Sequence, residues 1–163
     1  MKKDEILTLY QYNAWANARI LNAASQLTAE EFLAPASFSH GGIRTTLVHT
    51  LSAERIWRNR WEGHSPTELL NREDFPTFTS LHSRWQEEGK ALMTYEDNVS
   101  EAALNNPLPY RTTSGRPFEN ILWHLMVHLV NHGTQHRSEA AAMLTDFGCS
   151  PGDIDFIVYL RER

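Results

Sequence analysis

The chain has 163 residues and a mass of 18.7 kDa, a length that suits one domain, residues 1–163, with a substantial hydrophobic core. Its formal net charge of −5 leaves no surplus of positive charge for phosphate contacts, so we expect no nucleic-acid partner. The single cysteine excludes an internal disulfide and any zinc site built from several thiolates.

Apolar residues recur at helical spacing in four long segments and predict an all-α fold, a four-helix bundle with short extra helices. In chain order, the predicted elements are a helix over Asp4–Ser25, a short turn capped by Thr28 and Glu31, helices over Ile43–Glu62 and Phe78–Val99, a short extended or hairpin-like excursion over Asn105–Pro117, a helix over Phe118–Asp146, and a short helix over Ile154–Leu160.

The composition is unusual for its eight histidines. Four of them, His124, His128, His132 and His136, stand four apart on the last long predicted helix. Residues at i and i+4 share a helix surface, so two such imidazoles can reach one metal ion. A helical wheel places His132 and His136 on the apolar side and the other two on its flank. There His128 is either solvated or hydrogen-bonded in support of the pair. Gly133 leaves space for a neighbouring helix or a ligand.

From spacing alone, a metal site and a pair of hydrogen-bonded core histidines are equally good interpretations. A metal site needs a third ligand, and His49 is the best candidate because it shares a helical stripe with apolar residues. His40, His64 and His82 are expected to be solvated surface residues. Glu54 is expected to point away from His49.

The N-terminus has two lysines but no continuous apolar region of the kind found in signal peptides. The longest apolar stretch, Ile121–Val130, is shorter than a bilayer-spanning helix and contains two histidines. We therefore expect a cytoplasmic protein with no membrane partner.

Three segments are similar to the elements of one family. Tyr12–Asn17 near the start, His128–Arg137 in the last long helix and Asp153–Arg161 at the end resemble the YNxWAN signature, the HxxNHxxxHR element and the usual C-terminal segment of the DinB family of bacterial helical bundles. The resemblance covers nearly the whole chain. It implies a four-helix bundle related to the YfiT-like metalloenzymes.

The resemblance also implies a three-histidine metal site, because the family's ligand pattern falls on His49, His132 and His136. Zinc or nickel is the main expectation for the divalent ion, with iron, cobalt or manganese as alternatives. The wider superfamily includes thiol-dependent transferases and isomerases that use low-molecular-weight thiols such as bacillithiol or mycothiol. Family members often form homodimers, and a homodimer is expected here.

Three functional hypotheses follow from these observations. The first is a metal-dependent enzyme of transferase or hydrolase type, acting on a low-molecular-weight thiol and a small electrophile. The second is a non-catalytic metal-binding or stress-response protein, since several DinB members are known only as induced by DNA damage. The third is a structural bundle whose histidines are merely hydrogen-bonded.

Overall fold

The structure is a computed structural model that describes all 163 residues, with seven α-helices, one 3-10 turn and one two-stranded antiparallel sheet. The elements are α1 (Lys3–Ala24), α2 (Ala29–Leu33), α3 (Ile43–Trp61), the 3-10 turn (Arg72–Asp74), α4 (Phe78–Asn98), α5 (Glu101–Leu104), β1 (Pro107–Arg111), β2 (Pro117–Ile121), α6 (Leu122–Asp146) and α7 (Phe156–Glu162). None of the helices combines the length and the apolar character that crossing a membrane would require.

The long helices α1, α3 and α4 lie where the sequence predicts them, and α2 begins at the predicted capping box. The Thr28 hydroxyl accepts the Glu31 amide at 3.2 Å, and the Glu31 carboxylate accepts the Thr28 amide at 2.8 Å. Three predictions were incomplete or displaced. Neither α5 nor the 3-10 turn was predicted, and α7 begins two residues later than predicted.

The start of the last long helix is a correction, because α6 begins at Leu122 and not at Phe118. Residues 117–121 instead form β2, whose Phe118 lies opposite Tyr110 in antiparallel register. Backbone groups that pair with β1 are not available for the first turn of a helix. The Leu122 amide continues this connection by donating to the Asn106 carbonyl at 3.1 Å. The predicted excursion is therefore a hairpin that includes four residues assigned to the helix.

Among the long helices, α6 packs most extensively, against both α1 and α3, while α4 packs on α3 and touches α1 only lightly. Their buried side chains form two apolar clusters. One includes Tyr10 and Met126, and the other includes Ile20, Leu51 and Leu144. Burial of each such side chain contributes about 1.5–3 kcal/mol to folding. Along α1 and α6, polar side chains occupy the region between these two clusters.

We call the buried polar side chains of Asn13, Asn17, Glu54 and Arg137 the Asn–Glu–Arg network. The side-chain amides of Asn13 and Asn17 donate to Glu54 Oε1 at 2.9 and 2.8 Å. Arg137 Nη1 donates to the side-chain oxygens of both asparagines. The network therefore links α1, α3 and α6, and it turns Glu54 away from His49, as the sequence predicts.

Gly133 lies against this network on α6. A Cβ atom at this position would stand 2.8 Å from Arg137 Nη1 and 3.1 Å from Asn13 Oδ1, closer than van der Waals contact allows. Of the two predicted uses of the space beside Gly133, the structure therefore supports close approach of a neighbouring helix, α1.

Candidate metal centre

The three predicted ligands lie together where α3 faces α6. His132 Nε2 stands 3.3 Å from His49 Nε2 and 3.2 Å from His136 Nε2. His136 is buried with 8% exposure, and the other two rings are partly buried. Residues far apart in the chain thus direct three ring nitrogens at one point.

Glu139 orients the His136 ring. Its Oε2 lies 2.9 Å from His136 Nδ1, and its Oε1 accepts the Ser39 hydroxyl at 2.8 Å. Because a carboxylate can only accept, Nδ1 of His136 carries the hydrogen of this bond, and Nε2 is the ring nitrogen that faces His132. Glu139 was missed in the sequence, although its i+3 spacing from His136 on a helix was a usable signal.

The metal-free cluster is poorly able to hold protons. Desolvation, with further contributions from neighbouring histidines, lowers the pKa of both His49 and His132 to about 4. Both rings are therefore neutral at pH 7 and present lone pairs instead of charge. Partial burial alone would raise the pKa of Glu139, but hydrogen bonds from His136 and Ser39 hold it below its usual value.

This donor set fits a transition-metal ion. His132 Nε2 lies close to the Nε2 atoms of both His49 and His136. One ring hydrogen cannot satisfy both contacts, because the His136 hydrogen faces Glu139. A cation would satisfy all three lone pairs at once. Tetrahedral bonds of about 2.0–2.1 Å place neighbouring ligand nitrogens about 3.3–3.4 Å apart, close to the observed separations.

His40 belongs to the same cluster, so the prediction that it is a solvated surface residue was wrong. Its ring stacks on that of His49, with centroids 3.8 Å apart and planes inclined by 16°, and its centroid lies 4.8 Å from that of His136. The two ends of the loop approach each other closely, since a Cβ atom on Gly42 would stand 2.2 Å from the Ala34 carbonyl oxygen, and the Gly42 amide donates to Thr45 Oγ1 of α3 at 2.9 Å. Ser39 also anchors the loop to α6 through Glu139.

We use the name histidine cluster for His40, His49, His132 and His136, and two triads within it share His49 and His136. In one, the third member is His40, and the donor atoms all lie within 4.8 Å of one another. In the other it is His132, with the shorter Nε2 separations above. The lone pairs of imidazole lie in the ring plane, so the nearly parallel His40 and His49 rings do not converge on one ion. Of the two, His132 has the shorter Nε2 contacts to the shared members, and the His40 ring lies over that of His49.

The remaining histidines lie outside the cluster. His124 and His128 are exposed on the flank of α6, as the helical wheel predicts, and His64 is exposed as expected. His128 makes no hydrogen bond to His132, and its ring packs against Trp57 with centroids 5.2 Å apart. His82 is half-buried and stacks on a phenylalanine, so its predicted solvation was only partly correct.

An open cleft of about 310 Å³ lies beside the cluster. It is lined by His40, His49 and Ser52 on one side and by residues 69–72 on the other. A cavity of this size lies within the range of small-molecule sites. The His49 side of the cluster is thus accessible to a small molecule.

Comparison with known proteins agrees with the resemblance read from the motifs. The family model described as DinB family matches residues 1–163. The chain is also 27% identical over 169 aligned residues to a protein named Protein DinB from Bacillus subtilis (strain 168), with 96% of this chain and 94% of that protein covered.

Proposed function

Because the chain belongs to the DinB family, we propose that it binds a divalent metal ion through the Nε2 atoms of His49, His132 and His136. The observation that carries this proposal is that His132 Nε2 lies 3.2 Å from His136 Nε2 and 3.3 Å from His49 Nε2. Zinc or nickel suits three imidazoles best, and cobalt, iron and manganese are the alternatives. The hydrogen bond from His136 to Glu139 supports the proposal, since metal-ligating histidines usually donate their second ring hydrogen to a carboxylate or carbonyl.

The proposed reaction is a metal-dependent transfer or hydrolysis, in which a low-molecular-weight thiol or a water molecule attacks a small electrophile. A bound metal ion lowers the pKa of a thiol or water and so supplies a nucleophile at neutral pH. The chain contributes a site with three protein ligands and an adjoining cleft for the substrate. The imidazole of His40 limits access to the metal site. The choice of a thiol rests on the family alone.

The four long helices are proposed to form a four-helix bundle that holds this site. Support comes from their contacts, which run in a closed cycle from α1 to α6, α3, α4 and back to α1. In this arrangement the histidine cluster lies on the side between α3 and α6.

Metal analysis of protein purified without a histidine tag tests the site. We expect about one equivalent of metal in the wild type and almost none in the double variant His132→Ala, His136→Ala. The matched control is His64→Ala with His124→Ala, which removes two exposed histidines and should leave the metal content unchanged. Equal metal content in the wild type and the first double variant would disprove the site.

A turnover assay tests the reaction. Wild-type protein is supplied with a low-molecular-weight thiol and a small electrophile, and in a separate assay with an ester. We expect turnover in one of the assays that stops on chelation and returns when metal is restored. Full metal occupancy without turnover in either assay would contradict the enzyme and favour a non-catalytic metal-binding protein.

A further inference from the structure

A second cavity lies on the other side of the helices, between α1 and α4. It has a volume of about 590 Å³ and shares no lining residue with the histidine cluster. We call it the α1–α4 groove. Its walls include Leu7, Ala14 and Ala18 of α1 and Trp85, Leu92 and Met93 of α4. The predicted function leaves this cavity unused.

The groove exists because some of the residues that line it on both helices are small and leave the space between the helices unfilled. A Cβ atom on Gly89 would meet no atom within 4 Å, and alanines stand opposite on α1. Of the neighbouring pairs of long helices, α1 and α4 contact each other least. The helices α1 and α4 therefore leave between them a space of the size that small-molecule sites have.

Carboxyl groups are the acidic groups of the groove. Glu54, Glu96 and Asp97 line it, and no lysine or arginine does. Lys3 lies outside and donates to the backbone oxygen of Asp97, and Arg137 is separated from Glu54 by the two asparagines of the network. The lining thus combines apolar side chains with three carboxyl groups and has no lysine or arginine to pair with them.

Two of these carboxylates have unused acceptor capacity. Glu54 is 3% exposed, and only its Oε1 accepts hydrogen bonds, so Oε2 has no partner. Glu96 is half-buried and makes no hydrogen bond and no ion pair. Burial, with repulsion from Glu54 and Asp97, raises the pKa of Glu96 to about 8. The Glu96 carboxyl is therefore largely protonated at neutral pH without a ligand, and a cation beside it would favour the carboxylate.

We propose that the α1–α4 groove binds a small amphipathic amine, with its apolar tail between α1 and α4 and its protonated nitrogen at the carboxylates of Glu54 and Glu96. The amine nitrogen donates to Glu54 Oε2 and to Glu96, the two acceptors that no side chain of the protein uses. A fatty acid would place a carboxylate, and no cation, beside these two carboxyl groups. A second copy of the chain that docked through the same groove would offer no lysine or arginine to these carboxyl groups, because the groove lining contains neither.

Calorimetric titration of the full-length protein at neutral pH tests the proposal, with octylamine as the probe. Octanol and octanoate have the same tail and differ only in the head group. We expect saturable binding of one octylamine, binding of octanol at least about tenfold weaker, and no binding of octanoate.

Two variants locate the site. Glu96→Gln removes the carboxyl that a bound amine would hold in its ionised form, and it should weaken octylamine binding about tenfold. Gly89→Leu fills the groove with a side chain that meets no atom at its Cβ, so the fold should be retained while binding is lost. The matched control is Glu87→Gln, an exposed residue of α4 that does not line the groove and should leave binding unchanged.

Several outcomes would overturn the proposal. One is equal affinity for octanol and octylamine, and another is undiminished binding to the folded Gly89→Leu variant. A dimer in sedimentation that becomes a monomer on Gly89→Leu would assign the groove to a second copy of the chain. Octylamine binding should persist in the His132→Ala, His136→Ala variant, so the result does not depend on the metal site.

Discussion

The histidine cluster and the Asn–Glu–Arg network each bring four polar side chains to the interior, but they differ in how those groups are satisfied. In the network, Arg137 donates to the two asparagines, and the asparagines donate to Glu54. In the cluster, His132 Nε2 faces the Nε2 atoms of His136 and His49 across 3.2 and 3.3 Å. Most polar atoms of the network have partners within it, which folding alone explains, whereas convergent ring nitrogens without enough donors indicate an external cation.

The largest expected effect comes from breaking the network. Arg137→Met removes its only buried cation and leaves the Asn13 and Asn17 oxygens and the Glu54 charge uncompensated. We expect the free energy of unfolding to fall by about 3–5 kcal/mol in urea denaturation. Arg72→Met is the control, since Arg72 is 60% exposed and pairs only with Glu73; it should cost less than about 1 kcal/mol. Similar losses in both variants would mean that the network contributes no more to the free energy of unfolding than an exposed ion pair does.

A smaller effect is expected when the support of the cluster is altered and the network is left intact. Glu139→Gln replaces the carboxylate beside His136 Nδ1 with a neutral acceptor. We expect metal affinity to fall about 10–100-fold in competition with a chelator, with no comparable loss of folding stability. Asp146→Asn, an exposed change at the end of α6, serves as the control. Unchanged affinity in Glu139→Gln would show that this hydrogen bond does not support a ligand.

The cluster should also make the metal-free protein sensitive to acid. The folded-state pKa of His49 and His132 is about 4, below the unfolded value of about 6.5. The unfolded chain therefore binds protons first, and the free energy of unfolding falls as the pH drops from about 6.5 to about 4. With partial exposure of both rings, we expect a loss of about 2 kcal/mol.

The double variant His49→Asn, His132→Asn isolates this contribution in denaturation curves measured with a chelator at about pH 7 and about pH 4.5. Other titrating groups are common to both proteins, so the wild type should lose more stability than the variant over this interval. Equal losses would contradict the low pKa of the two rings.

The smallest effect compares two helical glycines. Gly133→Ala places a methyl group against Arg137 and Asn13, and we expect it to lower the free energy of unfolding by about 1–2 kcal/mol. Gly89→Ala places the same group in open space, where the better helix propensity of alanine should raise stability by about 0.5–1 kcal/mol. Thermal melts of the two variants should shift in opposite directions. A stabilising Gly133→Ala would mean that α1 and α6 can separate at little cost.

Much of the helical framework and part of the site could be predicted from local patterns. The orientation of His132 and His136 relative to the core follows from the helical period, and the start of α2 follows from the capping box at Thr28 and Glu31. Their physical basis lies within a few residues of the chain. The assignment of His49 as a ligand needed more than the helical period, because the wheel of its helix is apolar nearly all round. The family pattern indicated the same residue.

The missed features depend on groups distant in the chain. His40 lies in a loop, and its place in the cluster follows from the close approach of Gly42 to Ala34 at the ends of that loop and from the hydrogen bond of Ser39 to Glu139. Residues 118–121 have a strand partner in β1 that competes with the helix. No local period distinguishes these cases from a solvated loop and a longer helix.

Periodicity and capping in the amino-acid order were sufficient for helix type, for the buried side of α6 and for one pair of candidate ligands, because each depends on neighbours within about one helical turn. Convergence of α3 and α6 on a single point, the hydrogen bonds within the Asn–Glu–Arg network and the groove between α1 and α4 required the packed molecule. These features depend on which distant side chains meet and on whether their hydrogen-bonding groups find partners. Such properties arise only when the helices have docked.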